Sequence, residues 1–254
     1  MPLLFLRPLY STTLPGAGDG VDPYWDNVVL LLPMDGAHDA STFTDLKGKA
    51  ITNGGPVLVK TDVKKYGTAS GKFTTNLASF LSTPFVQDFS FPGDFTIECW
   101  VYPTQVEVPN DPGSWGRQEI MACGTAYSSS MWLLEWSGYA AASKFTIRWL
   151  DASATVQRSV TSASTFALNQ WYHVAATRQG TLVTLWVNGV SQGSAVIAQA
   201  FTVTGSAGTL TVGKMNYGTT TRNFVGHIDD IRITKGVARY LANFTPPVAA
   251  FPSY

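Results

Sequence analysis

From Asp94 to Tyr102 the chain reads DFTIECWVY, and Phe95, Ile97, Cys99 and Val101 alternate with Thr96, Glu98, Trp100 and Tyr102. A period of two puts successive side chains on opposite faces of a pleated strand. Both sets are bulky, which predicts a central strand with Glu98 either paired or at a rim. The continuous apolar run Val28 to Leu32 predicts a first strand buried on both faces, and shorter strands are predicted at Val57 to Lys60, Ser70 to Phe73 and Ser79 to Ser82. Further strands are predicted at Glu119 to Cys123, Met131 to Trp136, Lys144 to Trp149, Thr155 to Val160, Trp171 to Thr177, Thr181 to Val187, Ser194 to Gln199 and Leu210 to Gly213. Strands about 8 to 15 residues apart, with turn signals between them, describe an all-β sandwich.

Two turns are well specified. Gln179-Gly180 and Asn188-Gly189 sit between apolar strands, and Asn-Gly is the strongest two-residue hairpin signal because both central positions need positive φ. Residues 171–177, 181–187 and 190–197 are therefore expected to form a meander. No segment keeps a 3.6-residue apolar period; Gly236 to Leu241 is the one place where a short helical turn is expected.

The C-terminal stretch FVGHIDDIRITKGVARYLANFTPP, residues 224–247, sets a problem. Strict alternation puts Asp229, Ile231 and Ile233 on one face and Ile228, Asp230 and Arg232 on the other. A carboxylate sharing a face with two large apolar residues needs a backbone donor, a cation or a polar partner, since an unpaired buried charge costs several kcal/mol.

Composition narrows the class. Of 254 residues, 45% are hydrophobic, 13% aromatic and 13% charged, enough apolar material for one large core. Seventeen basic residues balance seventeen acidic ones, so no net field favours nucleic acid or an anionic membrane. Cys99 and Cys123 are too few for a disulfide framework and match no metal spacing; they are read as small core residues or as one disulfide.

The N-terminus, MPLLFLRPLYSTTLPGAGDG, is apolar but broken by Pro2, Arg7 and Pro8. Its run Leu3 to Leu6 is shorter than a signal-peptide core of about 7 to 15 residues, and no run approaches the roughly 20 residues that span a bilayer. A soluble protein without an export address is expected. Residues 1–22 are read as an arm, either a docking peptide that orders on another protein or a frayed terminus, and residues 23–254 as one domain. The proline- and glycine-bearing loop 103–118 is long enough to be functional.

The residues argue against catalysis. Glycoside hydrolysis needs two carboxylates about 5 to 10 Å apart; no Glu-x-Asp-x-x-Glu type cluster is present, and Glu98, Glu107, Glu119 and Glu135 are read as single acids. His38, His173 and His227 are scattered, no Ser or Cys sits in an elbow motif, and no phosphate-cradling glycine loop is present. His173, within WYHVAAT, is expected to be a hydrogen-bonded core histidine.

The combination DFTIECWVYPT, then WYHVAATRQGTLVTLWVNGVSQGS, then LTVGK followed by FVGHIDDIRITKGVARY resembles the concanavalin A-like lectin/glucanase superfamily, specifically its laminin-G-like jelly-roll domains, over roughly residues 26–247. WDNVVLLLPMDG and ITKGVARYLANFTPP resemble the version found in bacteriophage tail, fibre and other virion proteins. The resemblance implies a two-sheet antiparallel jelly-roll sandwich with binding loops at the concave face or rim. Cys99 stands where the family usually has an aromatic residue, which fits a small buried hydrophobe.

Function follows as an expectation: a non-enzymatic structural or adhesion component of a phage virion, in tail, fibre or capsid decoration. Residues 1–22 are expected to attach it to other virion proteins; it is expected to be homo-oligomeric and to contact host surface glycans, with no nucleic-acid or membrane partner. A carbohydrate-binding lectin module is the alternative and a glycoside hydrolase the third reading. The resemblance also implies a structural calcium site at Asp229, joined by Asp35 and loop carbonyls, although Asp229 could equally be an anchor for backbone amides. Sugar-binding candidates on loops are Trp115, Tyr127, Tyr139 and Tyr217, with Asn216 and Arg222 as polar partners. Trp100, Trp149, Trp171 and Trp186 lie within strands and are expected in the core.

Overall fold

The structure is a computed structural model that describes residues 20–76, 78–84, 87–106, 116–124, 130–137, 143–150, 157–203, 209–217 and 220–254. Its strands run, in chain order, β1 (Val28–Leu32), β2 (Thr52–Asn53), β3 (Leu58–Lys60), β4 (Ser70–Phe73), β5 (Leu81–Thr83) and β6 (Phe95–Pro103). Next come β7 (Arg117–Cys123), β8 (Met131–Ser137), β9 (Lys144–Leu150), β10 (Gln157–Thr161), β11 (Tyr172–Gln179) and β12 (Leu182–Val187). The last are β13 (Val190–Val196), β14 (Leu210–Val212), β15 (Lys214–Tyr217), β16 (Thr220–Asn223) and β17 (Gly226–Lys235).

They form two sheets, a jelly-roll sandwich. The first has the order β13-β12-β11-β6-β17-β4-β3, with β1 also pairing β17; the second has the order β10-β9-β8-β7-β14-β5-β2, with the β15–β16 hairpin attached to β7 through β16. Pairing is antiparallel except for the single parallel contact between Asn223 and Glu119. One large apolar cluster fills the space between the sheets. It includes Leu30 and Leu32, Ile97, Cys99 and Val101, Trp132, Leu134 and Trp136, and Ile228, Ile231 and Ile233. Two of its indoles keep their polar edge satisfied: Trp132 Nε1 donates to the Phe89 carbonyl at 2.9 Å and Trp136 Nε1 to that of Gln105 at 3.0 Å. Cys99 and Cys123 are free and buried within this core.

The expected meander is present. Asn188 and Gly189, at φ 50° and 76°, close the β12–β13 hairpin. Gly189 is obligatory for a second reason, because a Cβ there would lie 1.8 Å from the Phe244 carbonyl oxygen. The preceding turn sits one residue later than expected, with Gly180 and Thr181 between the paired Gln179 and Leu182. Residues 236–241 make no helical turn; they leave β17 in extended form and lie back over the first sheet. The short β2 and the β15–β16 hairpin carry no clear alternation and are not legible in the sequence.

The closing strand departs from the alternation expected of it. Asp229 faces Trp100 while Arg232 faces Glu98, so three steps on β17 match two on β6, and Asp230 takes φ 50° at the irregularity. This bulge resets the faces. Ile228, Ile231 and Ile233 all enter the core, while Asp229 and Arg232 lie on the outward face with Trp100 and Glu98. The conflict between a carboxylate and two isoleucines on one face is removed by the extra residue.

A third layer then covers most of that outward face. Phe251 packs on Val28 and Leu31, and Tyr240 and Phe244 pack on Ala175 and Trp186. Tyr240 and Phe244 stack at 3.6 Å with 5° between their planes. Trp100 and Trp186 are thus buried beneath the chain ends rather than between the sheets, and only Trp149 of the four strand tryptophans joins the inter-sheet cluster.

Candidate functional site

Beneath the third layer the first sheet carries a charge network. Arg239 grips Asp22 with Nη1 at 2.9 Å and Nη2 at 2.8 Å, Arg232 Nη1 reaches the same carboxylate at 2.9 Å, and Arg232 Nε donates to Glu98 at 2.9 Å. Tyr240 Oη donates to Glu98 at 2.7 Å, and His173 Nε2 lies 3.1 Å from the same oxygen. Glu98 accepts only, so His173 carries its proton on Nε2. Burial alone would push Glu98 up, but Arg232, His173 and Arg239 outweigh it and hold the carboxyl well below the usual range. Burial likewise opposes, and Arg239 and Arg232 reverse, the shift of Asp22, which ends lowered. Two carboxylates and two guanidiniums compensate each other here, the arrangement that a buried ion cluster requires. His173 is the buried, hydrogen-bonded histidine expected, and Asp22, the last residue of the expected arm, is an integral part of this layer.

Asp229 and Asp35 are joined by one segment. Asp229 Oδ2 accepts the Lys65 and Tyr66 amides at 2.8 and 3.1 Å, and Asp35 Oδ1 accepts from Thr68 and Ala69. The turn between them needs Gly67, at φ 56°, because a Cβ there would lie 2.4 Å from Asp35 Oδ1. Asp229 Oδ1 is buried with no hydrogen-bond partner. Burial, with Asp35's charge adding to it against the Lys65 and Tyr66 amides, pushes Asp229 up to about 7. Burial and then the charges of Asp229 and Glu98 push Asp230 up to about 8, although its carboxylate accepts the Phe251 amide at 2.8 Å. Among the described residues no group of three or more His, Cys, Asp or Glu gathers as a metal site.

One strip of this outward face escapes the third layer. Across neighbouring strands, Lys72 on β4 faces His227 on β17, which faces Tyr102 on β6, and the Trp171 ring lies 5.4 Å from that of Tyr102. Trp171 and Tyr102 are half-buried and Lys72 is exposed, so Trp171 belongs to the surface and not to the core. Tyr102 meets His227 edge-on at 5.9 Å. Ser70 Oγ donates to the Val63 carbonyl and lies 2.9 Å from His227 Nδ1. With its proton committed to Val63, Ser70 accepts from His227, which places the imidazole hydrogen on Nδ1 and leaves Nε2 an acceptor. Burial, reinforced by Lys72, pushes His227 down to about 4, so the ring is neutral at pH 7.

The outward face of the second sheet is built differently. Glu119 and Glu135 stand directly opposite each other on β7 and β8, neighbours through register though sixteen positions apart in sequence. Arg222 Nη1 reaches Glu119 at 3.3 Å and Arg148 Nε reaches Glu135 at 3.0 Å. Burial, and then the charge of Glu135, push Glu119 well up. Two neighbouring carboxyl groups are also the pairing that glycoside hydrolysis uses. Here both are fully buried, beside a cluster of Met131, Leu133, Leu150 and Met215. Met215 and Arg222 are cross-strand partners, so the β15–β16 hairpin closes over this face.

Of the sugar candidates, Asn216 and Tyr217 lie on β15 and Arg222 on β16, so the three share one hairpin rather than loops. Arg222 is an ion-pair partner buried against the sheet. Trp115, Tyr127 and Tyr139 lie outside the described residues, as does most of the 103–118 loop. Sequence reasoning missed Tyr102, Trp171 and His227 as one group, since they come from three strands.

Two antiparallel sheets, an outward strip of aromatic rings and, among the described residues, no helix beyond the short 3-10 turns Trp25–Asn27 and Gln87–Phe89 define a lectin-like sandwich. The family model described as the concanavalin A-like lectin/glucanases superfamily matches residues 75–238, and the chain belongs to that superfamily. No curated protein matches the sequence. Among solved structures the chain is similar to the binding domain of Paraclostridial Mosquitocidal Protein 1, with 18% identity over 87% of this chain and 51% of that one and a TM-score of 0.62. It is also similar to the botulinum neurotoxin serotype G binding domain, with 19% identity over 85% and 49% and a TM-score of 0.59. Domain 4 of AbnA, a GH43 extracellular arabinanase from Geobacillus stearothermophilus solved in complex with arabinotriose, matches with 17% identity over 75% and 84% and a TM-score of 0.54. The chain spans about half the length of the toxin domains. At these identities the likeness is one of fold, and the similar structures are mainly binding domains.

Proposed function

We propose that this chain is a non-enzymatic glycan-binding module that serves as an adhesion or structural component of a phage virion, in tail, fibre or capsid decoration. Residues 1–22 attach it to other virion proteins, and it works as a homo-oligomer on the assembled particle. The observation that carries the binding half is the strip of Trp171, Tyr102 and His227: two adjacent half-buried rings beside a buried imidazole on an otherwise covered face, offering apolar surface for a sugar ring next to a fixed hydrogen-bond acceptor. The toxin binding domains among the similar structures, and an arabinanase domain solved with arabinotriose, support the same reading. The virion half rests on the resemblance of the sequence segments around Trp25 and Tyr240.

A glycan array tests the first half: selective binding is expected for the wild-type chain and its loss for Trp171→Ala, whereas an array blank for both discards it. Deleting residues 1–19, which spares Asp22, is expected to abolish incorporation into particles while leaving the domain folded; incorporation of the truncated chain discards the second half. If the glycan site is the principal function and no particle carries the protein, the lectin module is the correct description. For Asp229 a calcium ion is a second reading, favoured by the unpartnered Oδ1 near Asp35. An ion held there must stabilise the fold, so a chelator is expected to lower the melting temperature, and an unchanged value removes the ion.

A further inference from the structure

The strip has a polarity along its length, and that polarity specifies the ligand. At one end are Trp171 and Tyr102, half-buried rings 5.4 Å apart with no charged side chain between them. At the other end are cations. Lys72 is exposed directly across from His227, and Lys60 lies near enough that, with Lys72, it disfavours a charged His227. Lys65 lies on the next row, its Nζ 4.2 Å from the Trp100 ring. Asp62, Asp39 and the buried Asp229 are the acids nearby; Asp39 is engaged by Lys60, and Asp229 is held by the Lys65 and Tyr66 amides. Lys72 is thus the exposed cation directly beside the imidazole. Between the two ends stands His227 Nε2, whose acceptor role is fixed by the Ser70 to Val63 relay.

We infer that the Trp171–Tyr102–His227–Lys72 strip recognises a saccharide bearing a carboxylate, with a pyranose face stacked on Trp171 and Tyr102, a hydroxyl donating to His227 Nε2, and the acid group at Lys72. The inference rests on the glycan-binding reading above and narrows it. A neutral sugar would satisfy the rings and the imidazole but gain nothing from the exposed Lys72 ammonium beside them. A free inorganic anion would satisfy the lysines but gain nothing from the rings. Uronic and sialic acids share this chemistry.

Calorimetric titration at low salt separates the cases, with trigalacturonate and sialyllactose as acidic probes and galactotriose and lactose as their neutral counterparts. The acidic member of at least one pair is expected to bind about tenfold more tightly than its neutral partner, the advantage shrinking as salt screens the exposed lysine. Trp171→Ala is expected to weaken the preferred probe about tenfold, and Lys72→Gln to remove most of the preference for acid while leaving the neutral sugar unchanged. Which pair responds tells uronic from sialic recognition. Both substitutions lie at the surface, and a melting temperature close to that of the wild type confirms that each variant is folded. Equal affinity for acidic and neutral partners, or a preference that survives Lys72→Gln, overturns the inference while leaving glycan binding at the strip intact. Binding of acidic probes unaffected by Trp171→Ala overturns both, and points to the guanidiniums of Arg117, Arg148 and Arg222 on the second sheet.

Discussion

The outward face of the first sheet is two regions made by the same strands. Where the chain ends lie over β6, β11 and β17, every charged group of the Asp22–Glu98–Arg232–Arg239 network has a partner, and aromatic rings seal it from water. One row further along the same strands, Tyr102 and Lys72 flank the buried His227 without such cover, and Trp171 leaves part of its ring in solvent. Neighbouring residues of DFTIECWVY therefore serve opposite ends: Glu98 is fixed for stability, Tyr102 is left available. Residue type does not distinguish the two regions; what lies on top of them does.

That contrast fixes an order of expected effects. Arg232→Met takes the cation from between Glu98 and Asp22 and leaves two buried carboxylates undercompensated, so a loss of roughly 3–5 kcal/mol is expected in denaturant unfolding. A loss below about 1 kcal/mol would mean that the network is not sealed. Gly189→Ala is expected to cost about 2 kcal/mol or more, since it combines positive φ with a collision against Phe244 that would lift the third layer.

The pH dependence runs in two directions on the covered region. Asp229 and Asp230 have folded values raised to about 7 and about 8, so their contribution is complete below the ordinary carboxylate range and is lost as pH rises through 7 and 8. Glu98 and Asp22 are held low, so theirs is present at neutral pH and is lost as pH falls below about 4. The melting temperature is expected to drop between about pH 5 and pH 8 without added metal, and Asp229→Asn to flatten that decline. A flat wild-type profile would contradict the assignment, and a decline abolished by calcium would support an ion at Asp229. The smallest expected effect on stability is that of Trp171→Ala, about 1 kcal/mol or less, although the same change is expected to remove sugar binding.

Much of this was legible in the sequence and the remainder has physical reasons. Alternation in DFTIECWVY and the Asn188-Gly189 turn located the central strands and the meander, and the motif order identified the superfamily. The bulge at Asp230 was not legible, because one inserted residue leaves the local composition unchanged while inverting every face beyond it. Strict alternation therefore misplaced Asp229 beside the isoleucines. The Glu119–Glu135 pair was hidden for a related reason: acidic spacing along one strand says nothing about register between two. Trp171 was assigned to the core because it falls inside a predicted strand, whereas β11 begins at Tyr172; only the extent of the third layer reveals that its row is uncovered.

The most direct test of the account is the position of a bound sugar. Crystals soaked with a glycan selected on the array are expected to hold a ring stacked over Trp171 and Tyr102, with a polar group within hydrogen-bond distance of His227 Nε2. A ring lodged instead beneath the β15–β16 hairpin, against Glu119 and Glu135, would contradict it and make the second sheet the binding face.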